Sequence, residues 1–248
     1  MVELQSWDPL FRTLFESMVA GVGIEDRRAV FDADGTLWAG DAGRHMVHML
    51  AERGVVKTRD GAVDSAGVLR EYDAMEAIRP LDAYTWCVSV MASLPESSVI
   101  SYANDVAAEM AKNAQFHPMR CLLDWLSSRK FQIAVVSASN RWVIAAMIHH
   151  LELPVDAIVA MDCDVENGTL TNRLRHPLVN GPGKVDAILA RLGWSHWAFA
   201  AGNSVHDVPM MSRAKGGALM INPNEDAYRQ AIALGFWVRR FPFSTNEP

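Results

Sequence analysis

The stretch Ala29-Val30-Phe31-Asp32-Ala33-Asp34-Gly35-Thr36-Leu37-Trp38 decides how the rest of the chain is read. Arg27 and Arg28 lead into an apolar run too short for a helix, so the stretch reads as a short buried strand that delivers two acids into a turn. Gly35 supplies the backbone freedom, including positive φ, that such a turn demands. Side chains alternate along a strand, so Asp32 and Asp34 face apart unless the turn swings Asp34 back. With that swing, both carboxylates meet at a strand's carboxyl end, and the amides around Ala33 and Gly35 are expected to face an anion. Open α/β sheets bind ligands at this edge, near the point where strand order reverses. A nucleophile paired with a general acid is one use of such acids, in which a carboxylate takes up a phosphoryl group and its neighbour handles the proton. A strand ending in two solvated aspartates is the other.

The remainder of the chain supplies the context. From Phe131 onward, apolar runs alternate with helical patterns. Strands are expected at Phe131 to Val136, Asp156 to Met161, Trp197 to Ala201 and Gly217 to Ile221, with helices over Arg141 to Leu151, Lys184 to Leu192 and His206 to Ala214. Asp164 to Arg175 reads as a hairpin turning at Glu166-Asn167-Gly168. A leading amphipathic helix over residues 7 to 20 stops at Gly21-Val22-Gly23. Between the Asp32 strand and the Phe131 strand, several helical patterns follow one another with no strand among them. The fold class expected is α/β: a doubly wound parallel sheet with right-handed crossovers and an inserted all-helical second domain. Residues 1–40 and 113–248 form the core in this reading, and residues 41–112 form the insert, a lid above the carboxyl edge.

Composition narrows the classes of function. The 248 residues are 50% hydrophobic and 21% charged, with a net charge of -6, which argues against a nucleic-acid surface or a polybasic membrane patch. Glu3, Asp8 and Glu16 stand where a signal peptide would carry a basic start, and no apolar run reaches the ~20 residues that span a bilayer. Cys87, Cys121 and Cys163 are widely spaced and form no metal-binding pair. The cytoplasm is the expected compartment; the oligomeric state is not legible.

Three further clusters fall at strand ends or helix starts. Ser137 follows a buried strand, so its hydroxyl and the amides of Ala138 or Ser139 can cradle an anion, or Ser137 can simply cap a helix. Lys184, in Asn180-Gly181-Pro182-Gly183-Lys184, opens a helix whose first turn is a poor electrostatic place for a lysine; an anion beside it would explain the choice, and a solvated lysine is the alternative. Asn203 and Asp207, in Gly202-Asn203-Ser204-Val205-His206-Asp207, offer oxygen donors suited to magnesium, with capping by Asn203 or Ser204 as the alternative.

Asp32-Ala33-Asp34-Gly35-Thr36-Leu37, Ser137, Lys184 and Gly202-Asn203-Ser204 through Asp207 together resemble, in order, the four motifs of the haloacid dehalogenase superfamily, and the chain is most similar to its phosphoserine-phosphatase-like branch. The resemblance implies a Rossmann-like core, a helical cap and magnesium-dependent hydrolysis of a small phosphorylated metabolite. It implies that Asp32 is the nucleophile and Asp34 the general acid/base. Ser137, Ala138 and Lys184 would hold the phosphoryl oxygens, and Asp32, Asp34, Asn203 and Asp207 the metal. Asp34 argues against dehalogenation, because protonating a leaving oxygen is the task that needs it. Asn203 departs from the aspartate common in the family and contributes no charge to the ion. Asp41 lies where the resembled phosphatases carry an acid for the substrate's amino group, and it also reads as an N-cap. Arg70 and Arg79 are candidates for a substrate carboxylate, with solvated helix arginines as the alternative, and Trp38 and Trp86 for an apolar wall, with core packing as the alternative. A phosphotransferase using an acceptor alcohol and a catalytically silent binding protein are the alternatives to a phosphatase.

Overall fold

The computed structural model describes residues 4–241. Its centre is a six-stranded parallel sheet in the order β3-β2-β1-β6-β7-β8, formed by β1 (Arg28–Phe31), β2 (Gln132–Asn140), β3 (Ala157–Met161), β6 (Trp197–Gly202), β7 (Ala214–Ile221) and β8 (Trp237–Arg239). β4 (Cys163–Glu166) and β5 (Thr169–Leu174) make a separate antiparallel hairpin, whose turn places Asn167 at φ 49° and Gly168 at φ 76°. Those paired positive φ values are what the expected Asn-Gly turn requires.

β1 is the central strand because its residues tolerate burial on both faces. Ala29, Val30 and Phe31 are fully buried, with Val30 opposite Ala134 of β2 and Ala200 of β6. Small partners beside the larger Val30 and Phe31 let helices pack on both faces. From β1 the chain goes to β2 and β3 on one side; β6, β7 and β8 lie on the other. The strand order therefore reverses at β1 and β6, and the crevice of a doubly wound sheet opens above their carboxyl ends.

α1 (Pro9–Ala20) closes one face of the sheet. Asp8 caps it by accepting from the Phe11 amide at 3.2 Å, and Pro9 occupies the first turn, where its missing N–H costs nothing. Phe15, fully buried, is the centre of its packing: the ring meets Trp7, Phe199 and Trp237 edge-on at centroid distances of 5.1, 5.8 and 5.6 Å. These edge-to-face contacts join the helix to β6 and β8.

Four helices, α2 (Ala42–Glu52), α3 (Ser65–Ile78), α4 (Pro80–Ser89) and α5 (Glu96–Met110), fill the chain between β1 and α6 (His117–Ser128), and no strand lies in 41–112. The hairpin braces them: the Ser93 and Glu96 amides donate to the carbonyls of Leu170 and Gly168 at 2.8 Å each. Arg141, opening α7 (Arg141–His150), bridges Glu96 and Asp162 at 2.6 Å each and ties α5 to the sheet.

The structure departs from the sequence reading near the chain's end. The expected helix over His206 to Ala214 is a 3-10 turn at Val205–Asp207 followed by α9 (Val208–Met211), with Pro209 in the first turn. α8 (Pro182–Leu192) is as expected, whereas α10 (Glu225–Ala233) and the half-buried edge strand β8 were not foreseen. No helix among the described residues is long and apolar enough to cross a membrane.

Phe15→Ala removes the ring that joins α1 to the sheet without touching the crevice. Its stability in urea denaturation is expected to fall by about 3–5 kcal/mol; a loss below ~1 kcal/mol would show that α1 is not part of the core.

Candidate active site

Asp32 follows β1 directly, and its amide still donates to the Ala201 carbonyl of β6 at 2.9 Å, so the ladder fixes the carboxylate at the switch point. The chain then turns sharply. Gly35 stands at φ 71°, and a Cβ there would lie 2.1 Å from Asn203 Nδ2, so conformation and space both require glycine. The Gly35 amide, expected to face an anion, instead donates to the Trp38 carbonyl at 2.9 Å: the turn satisfies itself. It does swing Asp34 back. One Asp34 oxygen accepts from Trp38 Nε1 and from the Ala42 amide, both at 2.8 Å, and the other from Ser139 Oγ at 2.7 Å. Trp38 is fully buried, and its indole positions an acid; it is not a wall of the pocket.

Lys184 is the buried hub. It is 2% exposed, and its ammonium donates to Asp32 Oδ1 and Asp207 Oδ1 at 2.6 Å each and to the Val136 carbonyl at 3.0 Å, using all three of its protons. The anions that the sequence position called for are thus the protein's own carboxylates. Gly183 makes this reach possible, because a Cβ there would lie 2.1 Å from the Leu178 carbonyl oxygen.

Asp207 also organises its own loop. Its Oδ2 accepts from the Asn203 amide at 3.0 Å, the Ser204 amide at 2.9 Å and Ser204 Oγ at 3.0 Å, closing a capping box over Val205–Asp207. The capping alternative therefore holds for Ser204, and Asp207 serves as cap and ion-pair partner together. Gly202 lies against it, since a Cβ there would come within 2.4 Å of Asp207 Cβ.

Ser137 lies in β2, 1% exposed, and its Oγ accepts from the Ser139 amide at 3.0 Å. It caps no helix; Asn140 does, accepting from the Val143 amide at 3.0 Å. Asp41 caps α2, accepting from the Arg44 amide at 2.9 Å, and also lines the site. Arg70 and Arg79 lie outside it, exposed and paired with Asp64 and Asp82, and Trp86 is absent from its wall.

Asp32, Asp34, Asp41, Ser137, Ala138, Lys184, Asn203 and Asp207 all line one cleft of about 240 Å³. Glu76, Tyr84 and Asn180 line it as well, and the sequence reading had not singled them out for it; Ser139, whose amide it had named, also lines it. Asn180 Oδ1 is buried there with no hydrogen-bond partner. A Glu near the end of one helix and a Tyr on the next carry no local signal that they face a site built from distant parts of the chain.

Charge in the cleft is unbalanced. Asp32, Asp34 and Asp207 share the cleft with one buried ammonium, which contacts Asp32 and Asp207. Burial, and then the Asp207 charge, push Asp32 up to about 7, against the pull of Lys184. Burial also raises Asp34. Burial, the Asp34 charge and Glu76 push Asp41 up to about 8. Asp207 is the exception: burial works against its charge, but Lys184 and the Ser204 and Asn203 amides hold it below the ordinary carboxylate range. Among the described residues no set of three His, Cys, Asp or Glu side chains is arranged to hold a metal ion; the cleft's carboxylates and the Asn203 amide are nonetheless the hard oxygen donors that a divalent cation prefers, and one would offset their charge.

The model of haloacid dehalogenase-like hydrolases matches residues 29–212. Phosphoserine phosphatase SerB2 of Mycobacterium tuberculosis is 27% identical over 193 residues, 76% of this chain but 42% of that protein, so the chain spans less than half of that relative's length. A solved protein of unknown function from Bordetella pertussis Tohama I superposes with a TM-score of 0.72 at 21% identity, covering 86% of this chain and 97% of that one. A substrate-bound phosphoserine phosphatase superposes at 0.55 and 17% identity, covering 83% and 90%. At these identities the superpositions establish a shared fold.

Gly183→Ala is expected to push the start of α8 off the Leu178 carbonyl and to cost about 1–3 kcal/mol in chemical denaturation. An unchanged midpoint would mean that the loop has room that this packing denies it.

Proposed function

Since this chain belongs to the haloacid dehalogenase-like hydrolase family, we propose that it is a magnesium-dependent phosphatase that hydrolyses a small, amine-bearing phosphomonoester through an aspartyl-phosphate intermediate. The observation that carries this reading is the convergence of Asp32 and Asp207 on Lys184 at the sheet's switch point, in a cleft that Asp34, Ser137 and Ala138 also line.

In this reading an Asp32 oxygen attacks phosphorus, and the ester oxygen leaves with a proton from Asp34. Burial favours the protonated form of Asp34 before the step, and the Trp38 and Ser139 donors orient it. Asp34, now ionised, takes a proton from water as the water attacks phosphorus. The aspartyl phosphate opens to inorganic phosphate and the Asp32 carboxylate. Ser137 Oγ and the Ala138 amide bind nonbridging oxygens, and the Lys184 ammonium joins them by turning the proton it gives Asp32 toward the phosphoryl group once Asp32 is esterified. Asp32, the Asp34 backbone carbonyl, Asn203 and Asp207 would hold magnesium, which supplies positive charge that keeps Asp32 ionised and offsets the charge on the phosphoryl group. Asn203 brings a neutral donor, so the ion depends on the carboxylates for charge balance.

Residues 41–112 act as a cap domain on a core of 1–40 and 113–248, contributing Asp41, Glu76 and Tyr84 to the substrate's organic side. The reading requires no nucleic acid or membrane. A small metabolite as substrate and three free cysteines support a place in the cytoplasm.

Release of phosphate from p-nitrophenyl phosphate tests the reading. The wild-type protein is expected to require Mg²⁺, to lose turnover with excess EDTA and to regain it on adding the ion back. Asp32→Asn is expected to lower kcat by at least about 10⁴-fold while the circular-dichroism spectrum stays unchanged. Turnover that persists in Asp32→Asn would remove that carboxylate from the chemistry.

A further inference from the structure

The wall that the insert gives to the cleft is acidic. Asp41 heads α2, Glu76 lies near the end of α3, and Tyr84 comes from α4; all three are half-buried and line the same cleft as Asp32 and Lys184. Among the described residues, the insert contributes no lysine or arginine to this wall. Its nearby bases are committed elsewhere: Arg44 makes a two-pronged ion pair with Asp73 at 2.8 and 2.9 Å, and Arg70 and Arg79 pair with Asp64 and Asp82 at the surface. Lys184 is taken up by Asp32 and Asp207, and His206 belongs with Asp207 to the β6 loop.

Resting on the phosphatase reading above, we infer that the substrate is the phosphate ester of a small amino alcohol whose organic half carries a primary ammonium and no carboxylate, of the ethanolamine phosphate type. Two acids in one half-buried wall repel each other, and the Asp41 and Glu76 charges act on one another directly. A cation between them relieves that repulsion and draws Asp41 into its charged form, whereas a substrate carboxylate would meet acids with no cation beside it. The wall also distinguishes among cations. A primary ammonium carries three N–H donors, which the Asp41 and Glu76 oxygens can accept. A quaternary ammonium has no N–H and is recognised by cages of several Trp, Tyr or Phe rings, and among the described residues Tyr84 alone supplies such a ring to this cleft. A cleft of about 240 Å³ lies below the size of drug-binding pockets, which fits a phosphoryl group with a two- or three-carbon amine.

The test measures kcat/KM with Mg²⁺ for ethanolamine phosphate, its uncharged isostere propyl phosphate, phosphoserine, phosphocholine and p-nitrophenyl phosphate. Ethanolamine phosphate is expected to exceed propyl phosphate, phosphoserine and phosphocholine each by at least ~10-fold, since charge-assisted hydrogen bonds are worth that much or more. Glu76→Gln and Asp41→Asn keep the side-chain shape, and Asn still caps α2. Each is expected to shrink the preference for ethanolamine phosphate over propyl phosphate by at least ~5-fold, mainly through KM for the amine. Phosphoserine turned over as well as ethanolamine phosphate, or a preference unmoved in both variants, overturns the inference. Turnover of p-nitrophenyl phosphate with no preference between ethanolamine and propyl phosphate overturns it and leaves the phosphatase reading standing. Wild-type turnover of none of the five esters overturns both.

Discussion

One buried ammonium between two carboxylates holds this site together. Lys184 has given up water entirely, and Asp32 and Asp207 compensate it at 2.6 Å each. Neither acid could sit so deep without it: removing one partner of a buried ion pair leaves an unscreened charge that costs several kcal/mol. The arrangement also joins three separate parts of the chain. Asp32 leaves β1, Lys184 opens α8 and Asp207 follows β6, so the ion pairs close the crevice of the sheet as well as furnishing it with charge.

The rest of the site follows from making room for that contact. Gly35, Gly183 and Gly202 each stand where a Cβ would collide, with Asn203, with the Leu178 carbonyl and with Asp207. These glycines sit close to the residues whose charge the site needs. The helical insert then adds a second acidic surface, so the cleft carries two negative regions: one that suits a metal ion and one that suits an organic cation.

Much of this was legible in the sequence because it is local. The strand into Asp32, the apolar run into Ser137, the Asn-Gly hairpin and the Gly-rich approach to Lys184 each announce themselves within ten residues, and their shared position at strand ends predicted the crevice. The parts that were missed are turn contacts that several local readings fit equally well, and distant contacts. Ser137, Ser139 and Asn140 are all residues that cap helices, and it is Asn140, directly before α7, that does so. The Gly35 amide was expected to face a ligand, but Trp38 claims it through the turn. Trp38 itself reads as core from its neighbours, and only the fold shows its indole nitrogen on Asp34. Glu76 and Tyr84 are ordinary helix residues until α3 and α4 are placed over the sheet. β8, three half-buried residues at the sheet's edge, lacks the apolar run that marked the inner strands.

A double-mutant cycle on Lys184→Met and Asp207→Asn, read by urea denaturation without metal, tests the central ion pair most directly. Lys184→Met alone is expected to lose about 3–5 kcal/mol by leaving two carboxylates uncompensated. Adding Asp207→Asn is expected to recover part of that loss, giving a coupling of at least ~1 kcal/mol between the two positions. A Lys184→Met protein as stable as the wild type, or strictly additive effects, would contradict the account.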